Sequence, residues 1–119
     1  MAEERVCVED AIRNLQQSGE KMKLPTRAIK RLFDSFVQGG HHNAQVLRNA
    51  VEKRQIEQAK SSAHAIRGTA LSLSFDEIAA ACDKIEYEEG CDLESLSAMI
   101  LEAFTCLDAH KEEIVSALE

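Results

Sequence analysis

Between residues 55 and 73 the apolar side chains fall at Ile56, Ala59, Ala63, Ile66, Ala70 and Leu73, at spacings of three, four, three, four and three. A strand alternates every second residue and cannot hold such a row on one face, but a helix with about 3.6 residues per turn can. The row is narrow and three of its members are alanine, so a neighbouring helix can come close. Composition points the same way. Aromatic residues make up 4% of the chain and there is one proline, which favours an all-α domain built on Leu, Ile, Val and Ala. A length of 119 residues supports a single domain with a small core.

The remaining apolar patterns predict further helices. The first covers about residues 3–17 with Val6, Val8, Ile12 and Leu15 apolar, and Ser18-Gly19-Glu20-Lys21 is expected to break it. Leu24-Pro25-Thr26 opens a second helix, since proline suits a first turn, with Ile29, Leu32, Phe33 and Phe36 inward and Gly39-Gly40 as its end. A third, about residues 43–54, presents Val46, Leu47, Ala50 and Val51, and the fourth carries the row described above. Ser74-Phe75-Asp76-Glu77 fits a capping box and starts a fifth helix with Ile78, Cys82 and Ile85 inward, closed by Glu88-Glu89-Gly90. Asp92 can cap a long last helix with Leu93, Leu96, Ile100, Phe104, Leu107, Ile114 and Leu118 on its apolar face. Short connections favour antiparallel neighbours. The expected architecture is an antiparallel up-down four-helix bundle over about residues 42–118, with additional N-terminal helices in residues 1–40 covering one end or side.

The net charge of -7 is unevenly spread. Residues 1–75 hold 12 Lys/Arg against 8 Asp/Glu, and residues 76–119 hold 2 against 13. So acidic a half argues against general nucleic-acid binding. No segment approaches the length needed to span a membrane, and the acidic start, Met1-Ala2-Glu3-Glu4, does not read as a secretory signal. Cys7, Cys82, Cys91 and Cys106 form no CxxC pair and are expected to be reduced thiols in a cytoplasmic protein. Cys91, placed in a loop, is the thiol expected to react with alkylators.

The octet Ala63-His64-Ala65-Ile66-Arg67-Gly68-Thr69-Ala70 carries the chemistry. His64 follows the inward Ala63 by one position, about 100° round the helix, so its ring is expected to be at least half exposed. Lys60 and Arg67, at i-4 and i+3, place cations beside it, and Gly68 and Leu71 continue its face. Neutral imidazole is a nucleophile near pH 7. Once phosphorylated it would carry nearly two negative charges, which Lys60 and Arg67 would offset. A glycine inside a helix costs roughly 1 kcal/mol relative to alanine, so Gly68 asks for a reason, and removing a side chain from the path of a large partner supplies one. Leu71 offers that partner an apolar foothold, and Ser61 completes the expected docking positions with Gly68 and Leu71.

These residues resemble the histidine-containing phosphotransfer (HPt) family. Its pattern of Ala-His-x-Leu/Ile-Lys-Gly-Ser/Thr-Ala is met by the octet, and its following apolar, Leu, Cys and Ile/Leu-Glu positions by Leu73, Ile78, Cys82 and Ile85-Glu86. The likeness covers about residues 42–118. Arg67 stands where lysine is usual and keeps the charge on a broader, planar group. Ser74 stands where glycine often occurs. The resemblance implies that His64 accepts a phosphoryl group from an aspartyl phosphate on the receiver domain of a hybrid histidine kinase and passes it to the receiver of a response regulator. It implies further that the receiver brings Mg²⁺ and that this chain needs no cofactor of its own. A Gly-rich ATP-binding loop is missing, which fits a carrier without kinase activity. A monomer is the default for such a bundle.

The alternative reading is a helical adaptor that docks receivers or other partners without phosphoryl turnover. His64 between two cations argues against it, because an adaptor needs no nucleophile there. His41-His42, expected in a turn after Gly39-Gly40, lacks the ligand spacing of a metal site, and His110 reads as a surface or boundary residue.

Overall fold

The computed structural model describes the backbone of residues 2–118 and the side chains of residues 7–118. Val6, expected on the inner face of the first helix, lies outside the side chains described. Among the described residues there are six helices and no strand: α1 (Ala2–Met22), α2 (Thr26–Glu52), α3 (Ile56–Ser72), α4 (Asp76–Tyr87), α5 (Leu93–Ala109) and α6 (Lys111–Ala117). Helices α2, α3, α4 and α5 close a ring in which each packs on the next, and α1 lies across α2, α5 and α6. Cross-helix contacts give the directions. Arg48 of α2 meets Glu94 and Ser97 at the start of α5, whereas Gly40 faces Phe104 and Asp34 pairs with Lys111 beyond its end. The two helices are therefore antiparallel, as the up-down bundle requires.

Helix boundaries differ from the sequence expectation in one consistent way. Helix α1 runs through Ser18-Gly19, and α2 runs through Gly39-Gly40 without a break, so one helix stands where two were expected. The first wall of the bundle is thus the whole of α2, and His41 and His42 are helical residues. The glycine at 40 serves packing. A Cβ there would lie 2.2 Å from Phe104 Cε1 and 2.4 Å from its Cζ, so the phenyl ring rests directly on the α2 backbone. Phe104 is fully buried and tilted against Phe36 at 5.0 Å between ring centroids, and Phe36 stacks on Phe75 at the same separation. With Phe33, which stacks on Phe75, these are all four phenylalanines of the chain, gathered in one cluster.

Three helices end instead on residues that are not glycine. Lys23, Arg54 and Ser74 have φ of 55°, 58° and 66°. After each, the next amide donates back across the last turn: Leu24 to the Gly19 carbonyl at 3.0 Å, Gln55 to Ala50 at 2.8 Å, and Phe75 to Ala70 at 2.8 Å. This six-to-one bond is the Schellman stop, which usually recruits glycine because a side chain in the left-handed region costs about 1 kcal/mol or more. Ser74 therefore does not begin α4 by a capping box. It terminates α3, no side chain caps α4 at Phe75, and the buried Ser74 Oγ sits 2.7 Å from Ser18 Oγ of α1. Glycine, which the family resemblance would place at 74, suits that backbone.

Other expectations hold. Asp92 accepts from the Ser95 amide at 3.0 Å and from its hydroxyl at 2.8 Å and caps α5, and these bonds hold its carboxyl below the usual carboxylate range. Ala59, Ala63, Ile66, Ala70 and Leu73 are buried, as are Ile78, Cys82 and Ile85. Ile56 and Leu32, expected inward, are each 43% exposed, because they lie at the rims of the α3–α4 and α2–α3 grooves. The long last helix is divided at His110, whose φ of -111° and ψ of 16° set α6 off from α5 while Ile114 stays buried.

The two neighbouring glycines of α2 should behave oppositely. Gly39 has nothing within 4 Å of a Cβ position, so Gly39→Ala should raise stability by up to about 1 kcal/mol. Gly40→Ala must displace a buried ring and should lower it by about 1–3 kcal/mol. Thermal unfolding of the two variants checks this, and equal melting temperatures would remove the packing role of Gly40.

Candidate functional site

The site lies on the solvent side of the α3–α4 pair. Ala59, Ala63 and Ala70 of α3 and Ala79, Ala81 and Cys82 of α4 are all buried, so the two helices meet through short side chains. On each helix, the residue after an inward one turns to the same outer side. His64 and Arg67 do so after Ala63 and Ile66, and Asp83 and Glu86 do so after Cys82 and Ile85.

The helices are antiparallel, so two rungs form. His64 Nδ1 lies 3.1 Å from both Oε1 and Oε2 of Glu86, and Arg67 Nε lies 3.3 Å from Asp83 Oδ1. A carboxylate only accepts, so Nδ1 carries the proton and donates it to Glu86. The Glu86 side chain is 9% exposed and held in place, while that of His64 is 68% exposed. The opposite ring nitrogen, Nε2, is left with its lone pair towards solvent. This is the division of labour by which a carboxylate fixes an imidazole tautomer so that the far nitrogen can react.

Beneath the rungs lies Cys82, fully buried. Burial pushes its thiol up to about 12, with the Glu86 carboxylate adding to the rise and the Arg67 guanidinium opposing it. Glu86 and Arg67 thus both act on the floor of the site.

The expected site residues are distributed around this pair. Lys60 is exposed one turn before His64 and shares with Glu86 and Tyr87 the lining of a groove of about 400 Å³ between α3 and α4. Gly68 is open, with nothing within 4 Å of a Cβ position, and Leu71 is 50% exposed beyond it. Ser61 is also exposed. On the α2 side, Ala65 and Thr69 border a second groove of about 240 Å³ floored by Phe36, Ile66 and Leu73. His64 therefore stands between a charged flank and a neutral, small-residue flank.

Sequence reasoning left two residues out of the site. Glu86 entered only as part of a family pattern, and Asp83 did not enter at all. Their signal is the repeat noted above: an acid directly after the inward Cys82 and again after the inward Ile85 of α4, mirroring the two bases of α3.

The other histidines have no such setting. His41 Nδ1 lies 3.9 Å from Asp108 Oδ2, His42 is exposed on α2, and His110 lies 3.7 Å from Glu113. Among the described residues no three His, Cys, Asp or Glu side chains group closely enough to hold a metal ion. Among the described residues, no helix is long and apolar enough to cross a membrane. Cys91 is half-buried at the edge of the α3–α4 groove.

Compared with known proteins, the chain matches the family model described as Hpt domain over residues 31–115, which takes in α3, α4, α5 and most of α2 and α6. Neither a curated protein nor a solved structure matches it. Because that match spans most of the sequence and the all-helical fold agrees with it, the chain belongs to the Hpt domain family.

Proposed function

We propose that this protein carries phosphoryl groups between receiver domains in a multistep phosphorelay, with His64 Nε2 as the acceptor. Hpt domains serve histidine phosphotransfer in phosphorelays. The observation that carries the finer reading is the Glu86 contact, which holds the proton on Nδ1 and leaves Nε2 as a free nucleophile facing solvent.

In the forward step, the Nε2 lone pair attacks the phosphorus of a receiver's aspartyl phosphate. The bond from phosphorus to the acyl oxygen breaks, and its electron pair leaves on the aspartate carboxylate. The ring then bears a phosphoryl group on Nε2 and keeps its proton on Nδ1. The resulting positive charge faces the Glu86 carboxylate, which stabilises it. Reversal onto a second receiver returns the electron pair to Nε2 and releases neutral imidazole, so the same contact serves both directions. Lys60 and Arg67 offset the charge of the phosphoryl group. Mg²⁺ and the group that activates the aspartate belong to the receiver. The donor is the receiver of a hybrid histidine kinase and the recipient that of a response regulator. Ser61, Gly68 and Leu71 form the surface on which either one seats.

Label transferred from a phosphorylated receiver domain should be acid-labile and should be lost in His64→Gln. His64→Gln that still takes label would move the acceptor elsewhere. Wild-type protein that binds receivers but takes no label would make the protein an adaptor.

Glu86→Ala should slow transfer by about tenfold, the kinetic equivalent of one charge-assisted hydrogen bond. Glu86→Gln, which can still accept from Nδ1, should lose less. Stopped-flow transfer rates equal to wild type in both would leave Glu86 without a part in the chemistry.

Gly68→Gln should place a side chain where a receiver must enter, so transfer falls steeply while the melting temperature holds or rises. Gly68→Ala should keep most of the activity and add up to about 1 kcal/mol of stability. Normal transfer in Gly68→Gln would contradict an access role.

A further inference from the structure

We propose that Asp83 sets how firmly a phosphoryl group is held on His64, by competing with that group for Arg67. Asp83 has this role only if His64 is the phosphoacceptor, so the experiment below separates the two.

Two carboxylates face α3 from α4, and they are not equivalent. Glu86 is almost enclosed and touches the ring through both oxygens. Asp83, three residues earlier and about 4.5 Å along the helix axis, is 52% exposed and pairs with Arg67 through Nε at 3.3 Å. Glu86 faces the end of the imidazole that becomes positive on phosphorylation. Asp83 faces the cation that the phosphoryl group itself requires.

Both electrostatic effects of Asp83 act in one direction. It neutralises part of the Arg67 charge, and it adds a negative charge about one helical turn from a group carrying nearly two. Each weakens the hold on the phosphoryl group. Lys60, on the same flank of α3, is exposed one turn before His64. Arginine suits such sharing better than the lysine usual in the family. Its five N–H groups are spread round a planar fork, so the guanidinium can face Asp83 at Nε and still turn another edge to a phosphoryl oxygen. An ammonium is a single point of charge and would have to choose. The arrangement keeps Arg67 available but keeps it from making His64 a sink, as a carrier that must give up its cargo requires.

The test is the transfer equilibrium between His64 and a receiver domain that labels the wild-type protein, read by ³¹P NMR, with phosphoramidate as a direct small donor to follow phosphohistidine lifetime. Asp83→Asn should shift the equilibrium towards phospho-His64 by about three- to fivefold, the scale of a half-exposed ion pair. Arg67→Ala should shift it the other way. In the Arg67→Ala background, Asp83→Asn should have less than half its effect on a logarithmic scale, since only direct repulsion remains. Asp83→Glu should restore the wild-type balance, which a merely structural contact would not do selectively. Asp83→Ala serves as a second charge-removing variant.

Labelling of His64 with an equilibrium unmoved in both Asp83→Asn and Asp83→Ala would overturn the role of Asp83. So would a shift away from His64, which would mean that Asp83 aims Arg67 at the phosphoryl group. Failure of the wild-type protein to take label from either donor would overturn the reading of His64 itself.

Discussion

The close approach of α3 to α4 underlies everything else in this structure. It depends on short side chains, with Ala59, Ala63 and Ala70 on one helix and Ala79, Ala81 and Cys82 on the other, all of them out of solvent. At that separation, side chains one position off the seam can reach across and touch. Larger residues in the seam would push the helices apart, and the two rungs would open before the bundle did. The same economy recurs at Gly40, where an absent side chain lets Phe104 rest on the backbone of α2 and completes the cluster of phenylalanines. In both places the fold trades side-chain volume for proximity.

Proximity at the site is distributed unevenly. One carboxylate is nearly enclosed and holds a ring nitrogen, while its neighbour stands half in water and holds a guanidinium. Charges of the first kind are expensive to bury and are kept only when well paired; charges of the second kind are screened and act gently. A strong, fixed contact orients the imidazole, and a weak, adjustable one surrounds the group it would carry. The neutral groove on the other side of His64, between α2 and α3, contributes no charge to this balance.

Much of this was legible in the chain. The three-four spacing of Ile56 through Leu73 placed α3 and its inner face, and the one-position offset of His64 from Ala63 predicted the exposure of its ring. Helix ends were harder. Glycine is the usual signature of a helix stop, and this chain reverses the habit. Gly19, Gly39, Gly40 and Gly68 lie inside helices, while Lys23, Arg54 and Ser74 take the left-handed position that ends them. A residue's local preference cannot reveal that a ring from another helix needs its missing Cβ, as at Gly40. Nor can it reveal that a serine has a buried partner 56 residues away, as Ser74 has in Ser18. Asp83 and Glu86 were hidden for a related reason. In an acidic segment each looks like ordinary solvated charge, and only the register between two helices distinguishes them.

The buried thiol under the site limits which atoms there can react. Held near 12, Cys82 is ionised at neutral pH in only about one molecule in 10⁵. Sulfur attacks electrophiles, including phosphorus and peroxides, almost wholly as the thiolate. Raising that group by burial, against the pull of a nearby arginine, silences a softer and intrinsically stronger nucleophile than imidazole. An electrophile arriving at His64 therefore meets no competing sulfur from Cys82, and that thiol is not spent on oxidants beside the nitrogen that matters.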